Sequence, residues 1–267
     1  MALVETKISG RQAEDVYAKI GFEGHYRVEA QGFSGGIWIF WRSQSVQVQI
    51  LNSDTQFVSM AVTVDNLPTW IFTAVYASPH EAARHSLWHQ MNDFSANNSQ
   101  PWLLAGDFNE TKSMEERRNY SVDLLRRCTH FGNWIESNAL IDLGFMGSPF
   151  TWTRGLSPDT KKYSRLDRGL CNQEWRLLFE EIGVHHLLQN QSDHCAILIA
   201  PYGFLPLKQT FEPFKFQAAW LTHDIFIEYL KENWKSDTPL YPHLFQLSVA
   251  LTKWNREVFD NLYHRKK

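Results

Sequence analysis

Apolar residues recur along this chain with two different periods. Four stretches, GGIWIFW (35–41), VQVQI (46–50), FVSMAVTV (57–64) and TWIFTAVY (69–76), are rich in β-branched and aromatic residues. Turn formers such as Asn52, Ser53 and Asp54, or Asp65, Asn66, Leu67 and Pro68, separate them. This pattern predicts an antiparallel meander. From 80 to 96 the spacing becomes helical, with Ala82, Leu87, Met91 and Phe94 as buried positions. PWLLAGDFN (101–109) reads as a buried strand, and 122–138 as a second helix with Leu124, Cys128, Phe131 and Ile135 on one stripe. Three more strands are expected at PFTWTR (149–154), SRLDRGL (164–170) and HCAILIA (194–200), with a short helix at 172–179. Strands mixed with helices, without strict alternation, predict an α/β (α+β) fold: two packed mixed sheets with flanking helices. Residues 201–213, with Pro at both ends, break the pattern. Beyond them 216–234 and 243–264 read as amphipathic helices, so the chain divides into 1–200 and a helical appendage, 201–267.

Composition sharpens this. An aromatic fraction of 14% with 11 Trp requires a sizeable core and excludes disorder. Cys128, Cys171 and Cys195 are far apart and lack CxxC spacing, which argues against a zinc site or a disulfide framework. No run approaches the length of a membrane span, and the first ten residues carry Glu5 and Lys7 rather than a signal peptide. The sequons at 109–111, 119–121 and 190–192 are therefore read as chance matches. Residues 1–200 carry 17 Lys and Arg against 22 Asp and Glu, whereas 201–267 carry 9 against 7. A passive nucleic-acid coat would be basic. An acidic body suits a hydrolase whose bound cation reverses the local field.

The candidate chemistry sits at strand ends. GDFN (106–109) closes an apolar run with Asp107 and Asn109, whose two-residue spacing puts both on one sheet face, although DFN is also ordinary turn chemistry. SDH (192–194) places Asp193 and His194 at the mouth of another run. Carboxylate, amide and imidazole at strand ends suit metal-assisted attack of water on a phosphodiester. Tyr76 ends TWIFTAVY, and Asp167 lies between Arg165 and Arg168.

The ordered set LVET (3–6), VYASP (75–79), GDFN, FTW (150–152), SRLD (164–167) and SDH resembles the endonuclease/exonuclease/phosphatase superfamily. Within it the chain is similar to the exonuclease III and apurinic endonuclease branch, above all to the endonuclease domain of plant LINE-type non-LTR retrotransposons. The resemblance covers about residues 1–200 and implies a DNase I/exonuclease III-like two-sheet sandwich. It implies DNA as substrate, Mg²⁺ (or Mn²⁺) as cofactor and a nuclear location, with no membrane and no inferable partner protein. By resemblance Glu5 is a metal ligand and Asp193 acts on metal or water. Asp107 orients the attacking water. Asn109 and Tyr76 hold the phosphate, Asp167 joins the catalytic network, and His194 stabilises the transition state. Trp152 and Arg84 are candidate nucleic-acid contacts.

The family normally opens with a strand ending in Asn ahead of the Glu. Here Glu5 stands at the start, so a weaker metal site and an open or gapped first sheet are expected. A downstream reverse transcriptase, expected in the parent element, is also absent from the sequence. Two other functions stay open: a weakened remnant that only binds nucleic acid or a partner, and a phosphatase on a small phosphorylated substrate.

Overall fold

The computed structural model describes residues 1–120, 124–155, 157, 160–204, 214, 216–234 and 240–259. The chain divides into two compact units, 1–204 and 205–267.

In the first unit, β1 (Ala2–Val4) leads to α1 (Gly10–Ile20), β2 (Gly24–Val28) and β3 (Ile37–Trp41). These strands make an antiparallel sheet in the order β1-β3-β2. Then come β4 (Gln47–Asp54), β5 (Phe57–Thr63), β6 (Trp70–Tyr76), α2 (Glu81–Asn97) and β7 (Trp102–Asp107). They are followed by β8 (Arg117–Arg118), α3 (Leu125–Ser137), β9 (Ile141–Asp142), β10 (Met146–Gly147), β11 (Trp152–Arg154), β12 (Lys162–Ser164) and β13 (Asp167–Cys171). Last are α4 (Gln173–Leu178), β14 (Gly183–His186) and β15 (Ile197–Ala200). The central sheet runs β4-β5-β6-β7-β13-β9, with β6 and β7 parallel across the α2 crossover. Two smaller sheets run β10-β14-β15 and β11-β12-β8.

Alternation along the strands explains the layers. In β3, Ile37 and Ile39 face the central sheet and pack with Val58, Met60, Val62 and Ala74, while Trp38 and Phe40 pack on Ala13 and Tyr17 of α1. The other face of the central sheet presents Phe57, Ile71, Val75, Trp102 and Leu104 to Leu87 and Met91 of α2 and to Phe131, Trp134 and Ile135 of α3. β15 joins the inner layer through Ile199, which packs with Leu103, Cys171 and Trp175, and the buried Val184 of β14 stands in register with it. The expected mixed two-sheet architecture is present. Among the described residues β1 and β15 each pair on one side only, and both line one cleft of about 1800 Å³.

Several local expectations need correction. The meander starts at β4, because β3 pairs with β1 and β2 instead. Periodicity identifies a strand but not its partner, which is set by long-range packing. SRLDRGL is two strands, broken at Arg165 and Leu166, where the Leu166 amide turns to the Thr151 hydroxyl. Ala82 is exposed and Arg84 takes the buried place on α2. α1, β2 and β14 are additions to the pattern read from the sequence; α1 is amphipathic but polar overall, with Ala13 its one fully buried residue.

The second unit holds a 3₁₀ turn (Ala218–Thr222), α5 (Phe226–Asn233) and α6 (Leu240–Trp254). The stretch 216–234 is therefore interrupted rather than one helix. Trp220 is drawn into a cluster with Phe226, Leu251 and Trp254, and its indole donates to Asn255. Most of the break at 201–213 and the last residues, 260–267, lie outside the described residues. No helix among the described residues is long and apolar enough to cross a membrane.

Candidate active site

Three neighbouring strands end in register on one row. Tyr76 of β6 pairs with Asp107 of β7, and Asp107 pairs with Asp167 of β13. Leu103, Ala105 and Asp107 alternate onto the inner face, so an apolar strand delivers its carboxylate into the gap between layers. Gly106 makes this close approach feasible. Its φ is +142°, and a Cβ there would collide with the Val75 carbonyl oxygen of the adjacent strand.

His194 reaches this row from the segment before β15. Its Nδ1 bonds Asp167 Oδ2 at 2.8 Å, and its Nε2 lies 4.0 Å from Asp107 Oδ2. One atom each from Asp107, Asp167 and His194 fall within 4.8 Å of one another. Glu5 stands beside them, at φ +57° and followed by Lys7 at +58°, a conformation that costs energy for such residues. Its carboxylate accepts the Tyr76 hydroxyl at 3.3 Å and pairs with Lys7 at 3.2 Å.

The electrostatics are those of unbalanced negative charge. Burial, then the neighbouring Asp167 carboxylate, raises the Asp107 carboxyl to about 8, against a smaller opposing pull from His194. Burial alone would depress His194. The hydrogen bond and charge of Asp167, then Asp107 and Asp193, outweigh it and lift the imidazole to about 9. Burial, then Glu5 and Asp107, pushes the Tyr76 phenol up, so it stays a donor. Two buried carboxylates beside Glu5, one carboxyl held neutral by burial and by its neighbours' repulsion, fit a hard divalent cation that would relieve that repulsion.

Asn109 differs from expectation. β7 ends at Asp107, so strand alternation does not place Asn109. Its φ is +48°, and its backbone N–H donates to Asp107 Oδ1 at 2.8 Å. The Asx turn is therefore real. It also serves the site, because Asn109 Nδ2 donates to Asp107 Oδ2 (2.9 Å) and to the Ala77 carbonyl (2.8 Å). Asp193 is exposed and accepts the Trp152 indole N–H at 3.0 Å, outside the three-residue cluster. Trp152 is half-buried and bridges to His194.

Arg84 is not a surface contact. It is 1% exposed, and its guanidinium is spent on Glu110 and on the Ser78 carbonyl. Glu110, also bonded by Arg127, follows Asn109, so this buried cluster ties the loop after Tyr76 to the loop after Asp107. Nothing in the sequence pairs positions 84 and 110. Thr151 was also missed. Its hydroxyl accepts the Leu166 and Asp167 amides at 3.0 Å each. Threonine is too common in strands to signal such a role.

The model for the Endonuclease/Exonuclease/phosphatase family matches residues 1–194. The chain belongs to this family. Its members are hydrolytic nucleases and phosphodiesterases. Among solved structures, the chain is similar to the endonuclease domain of TRAS1, a telomere-specific non-LTR retrotransposon. Identity is 14% and the TM-score 0.52, covering 70% of this chain and 89% of that one. It is also similar to the Xenopus laevis APE2 catalytic domain, at 16% identity and TM-score 0.53, covering 73% of this chain and 81% of that one. At these identities the likeness shows the fold. No curated protein sequence matches.

Proposed function

We propose that this member of the Endonuclease/Exonuclease/phosphatase family is a Mg²⁺-dependent DNA endonuclease that nicks a phosphodiester, as in non-LTR retrotransposons. The observation that carries the reading is the convergence of Asp107, Asp167 and His194 within 4.8 Å, beside the Tyr76 hydroxyl. Glu5, beside the Asp107 and Asp167 carboxylates, would hold the cation, which would supply charge neutralisation and polarise the scissile phosphate. Asp193 stands next to His194 on the rim, where it can orient a water.

The chain's own groups divide the remaining work. Asp107, once its carboxyl is ionised, orients the attacking water and accepts its proton. The Tyr76 hydroxyl donates to a phosphoryl oxygen as charge builds there. The Asn109 amide, fixed by Asp107 and Ala77, keeps the carboxylate in one orientation and stands beside the phosphate. His194, kept protonated by Asp167, places a cation against the pentavalent phosphorus centre. Departure of the 3′ oxygen leaves 3′-hydroxyl and 5′-phosphate ends. Trp152 and the exposed rim around it are the reading's candidate contact with DNA.

A supercoiled plasmid incubated with Mg²⁺ tests this. The chain should produce open circles, and Asp107→Ala and His194→Ala should not. Equal nicking by all three proteins, or none by the parent, would refute the enzyme reading. The second outcome would leave a remnant that only binds.

A further inference from the structure

We infer that Thr151 is a positioning residue that sets the Asp167–His194 pair through its buried hydroxyl; this rests on the proposed endonuclease reading. Thr151 is fully buried and knits together the three segments that meet at the site. Its amide donates to the Ser164 carbonyl at the end of β12. Its carbonyl accepts the amide of Cys195, the residue after His194, at 2.6 Å. Its Oγ1 accepts two successive amides, Leu166 and Asp167, at 3.0 Å each.

Those two amides lie where the chain leaves one sheet and enters the next, so no strand partner meets them. Without an acceptor they would be buried and unsatisfied, and the turn would relax. Asp167 would move with it. Because the same residue also holds the amide after His194, one threonine fixes both ends of the 2.8 Å contact between His194 Nδ1 and Asp167 Oδ2. A hydroxyl oxygen can accept two hydrogen bonds, and valine, its near-isostere, can accept none.

The test compares Thr151→Val and Thr151→Ser in the full chain. Thr151→Val is expected to lower the nicking kcat by about 10- to 100-fold with KM unchanged, the range seen when a partner behind an active-site group is removed. It should also lose the low-field proton resonance of His194 Nδ1–H while circular dichroism stays native. Thr151→Ser keeps the hydroxyl and should retain both the rate and the resonance. If Thr151→Val does not fold, the serine variant decides: a retained resonance supports the inference and a lost one overturns it. A valine variant with native rate and resonance also overturns it. The resonance needs no catalysis, so a parent chain that fails to nick sinks the endonuclease reading and leaves the Thr151 inference to the spectrum.

Discussion

Two largely buried charge clusters flank the same five residues, 164–168, and they are built on opposite terms. On one side Arg165 and Arg168 meet Glu116 and Asp142 at 2.7–3.0 Å, two cations against two anions. On the other side the buried Asp167 and Asp107 carboxyls face a single imidazole, with Glu5, already paired to Lys7, at their edge. The charges of the first cluster are matched as they stand. Burial would raise Glu116 and Asp142, but hydrogen bonds and charge from Arg168 and Arg165 bring both below their ordinary values. In the second, burial and repulsion raise Asp107. A balanced cluster holds the end of β13 in place, and an unbalanced one has charge left over for a cation and a phosphate.

The largest expected effect falls on catalysis. Asp107→Ala should reduce nicking by at least about a thousandfold, since removing a central member of such a site costs that order. Its unfolding midpoint in urea, measured without metal, should stay near the parent's. A collapse of the midpoint would mean that Asp107 is structural and would erase the contrast.

Arg168→Met is the reverse experiment. It leaves the half-buried Glu116 and Asp142 with one guanidinium fewer, and should lose about 3–5 kcal/mol of stability by urea denaturation. A loss below about 1 kcal/mol would show that the balanced cluster is no more than a surface pair.

Mg²⁺ should stabilise only the unbalanced cluster. At a hundred times Kd the gain in the parent is about 2.7 kcal/mol, read as a rise in Tm. Asp107→Asn should lose most of that gain, and a chain whose Tm ignores Mg²⁺ would contradict the metal site.

The smallest effect is on pH, and its sign separates the two clusters. His194 and Asp107 have folded pKa values near 9 and 8, both raised. The His194 contribution is full below about 6.5 and is lost as pH rises through 9, while the Asp107 contribution, full below about 4, is lost progressively as pH rises to 8. Metal-free stability should therefore fall by about 1–3 kcal/mol between pH 6 and pH 9. Glu116 and Asp142 are lowered, so their contribution is present above pH 4–5 and is lost as pH falls. Urea midpoints across pH 3–9, with a chelator present, should decline at both ends. A curve flat on the alkaline side would refute the strain assigned to the site.

Much of the site was legible because its residues close apolar runs. Asp107 ends PWLLAGD and Tyr76 ends TWIFTAVY, and strand-end polar groups stand out against a hydrophobic background. Asp167 and His194 could be named only from motif order, and Asp167's neighbours in sequence misdirect. Arg165 and Arg168 flank it, but its partner is His194, 27 residues away. Arg84 shows the opposite failure, since a cation on a polar-looking helix face proved to be buried by Glu110. A charge's partner is a long-range property that spacing does not encode.

The sequence alone determined most of the strands and helices of the first unit, that the core is large, and which polar groups stand at strand mouths, because those follow from local periodicity. Only the tertiary structure decided that β3 leaves the meander, that Asn109 both turns the chain and braces Asp107, and that Thr151 ties Asp167 to His194. It also decided which charges balance and which do not. Hydrogen-bond partners and buried electrostatics depend on distances between segments far apart in the chain, and only packing sets those.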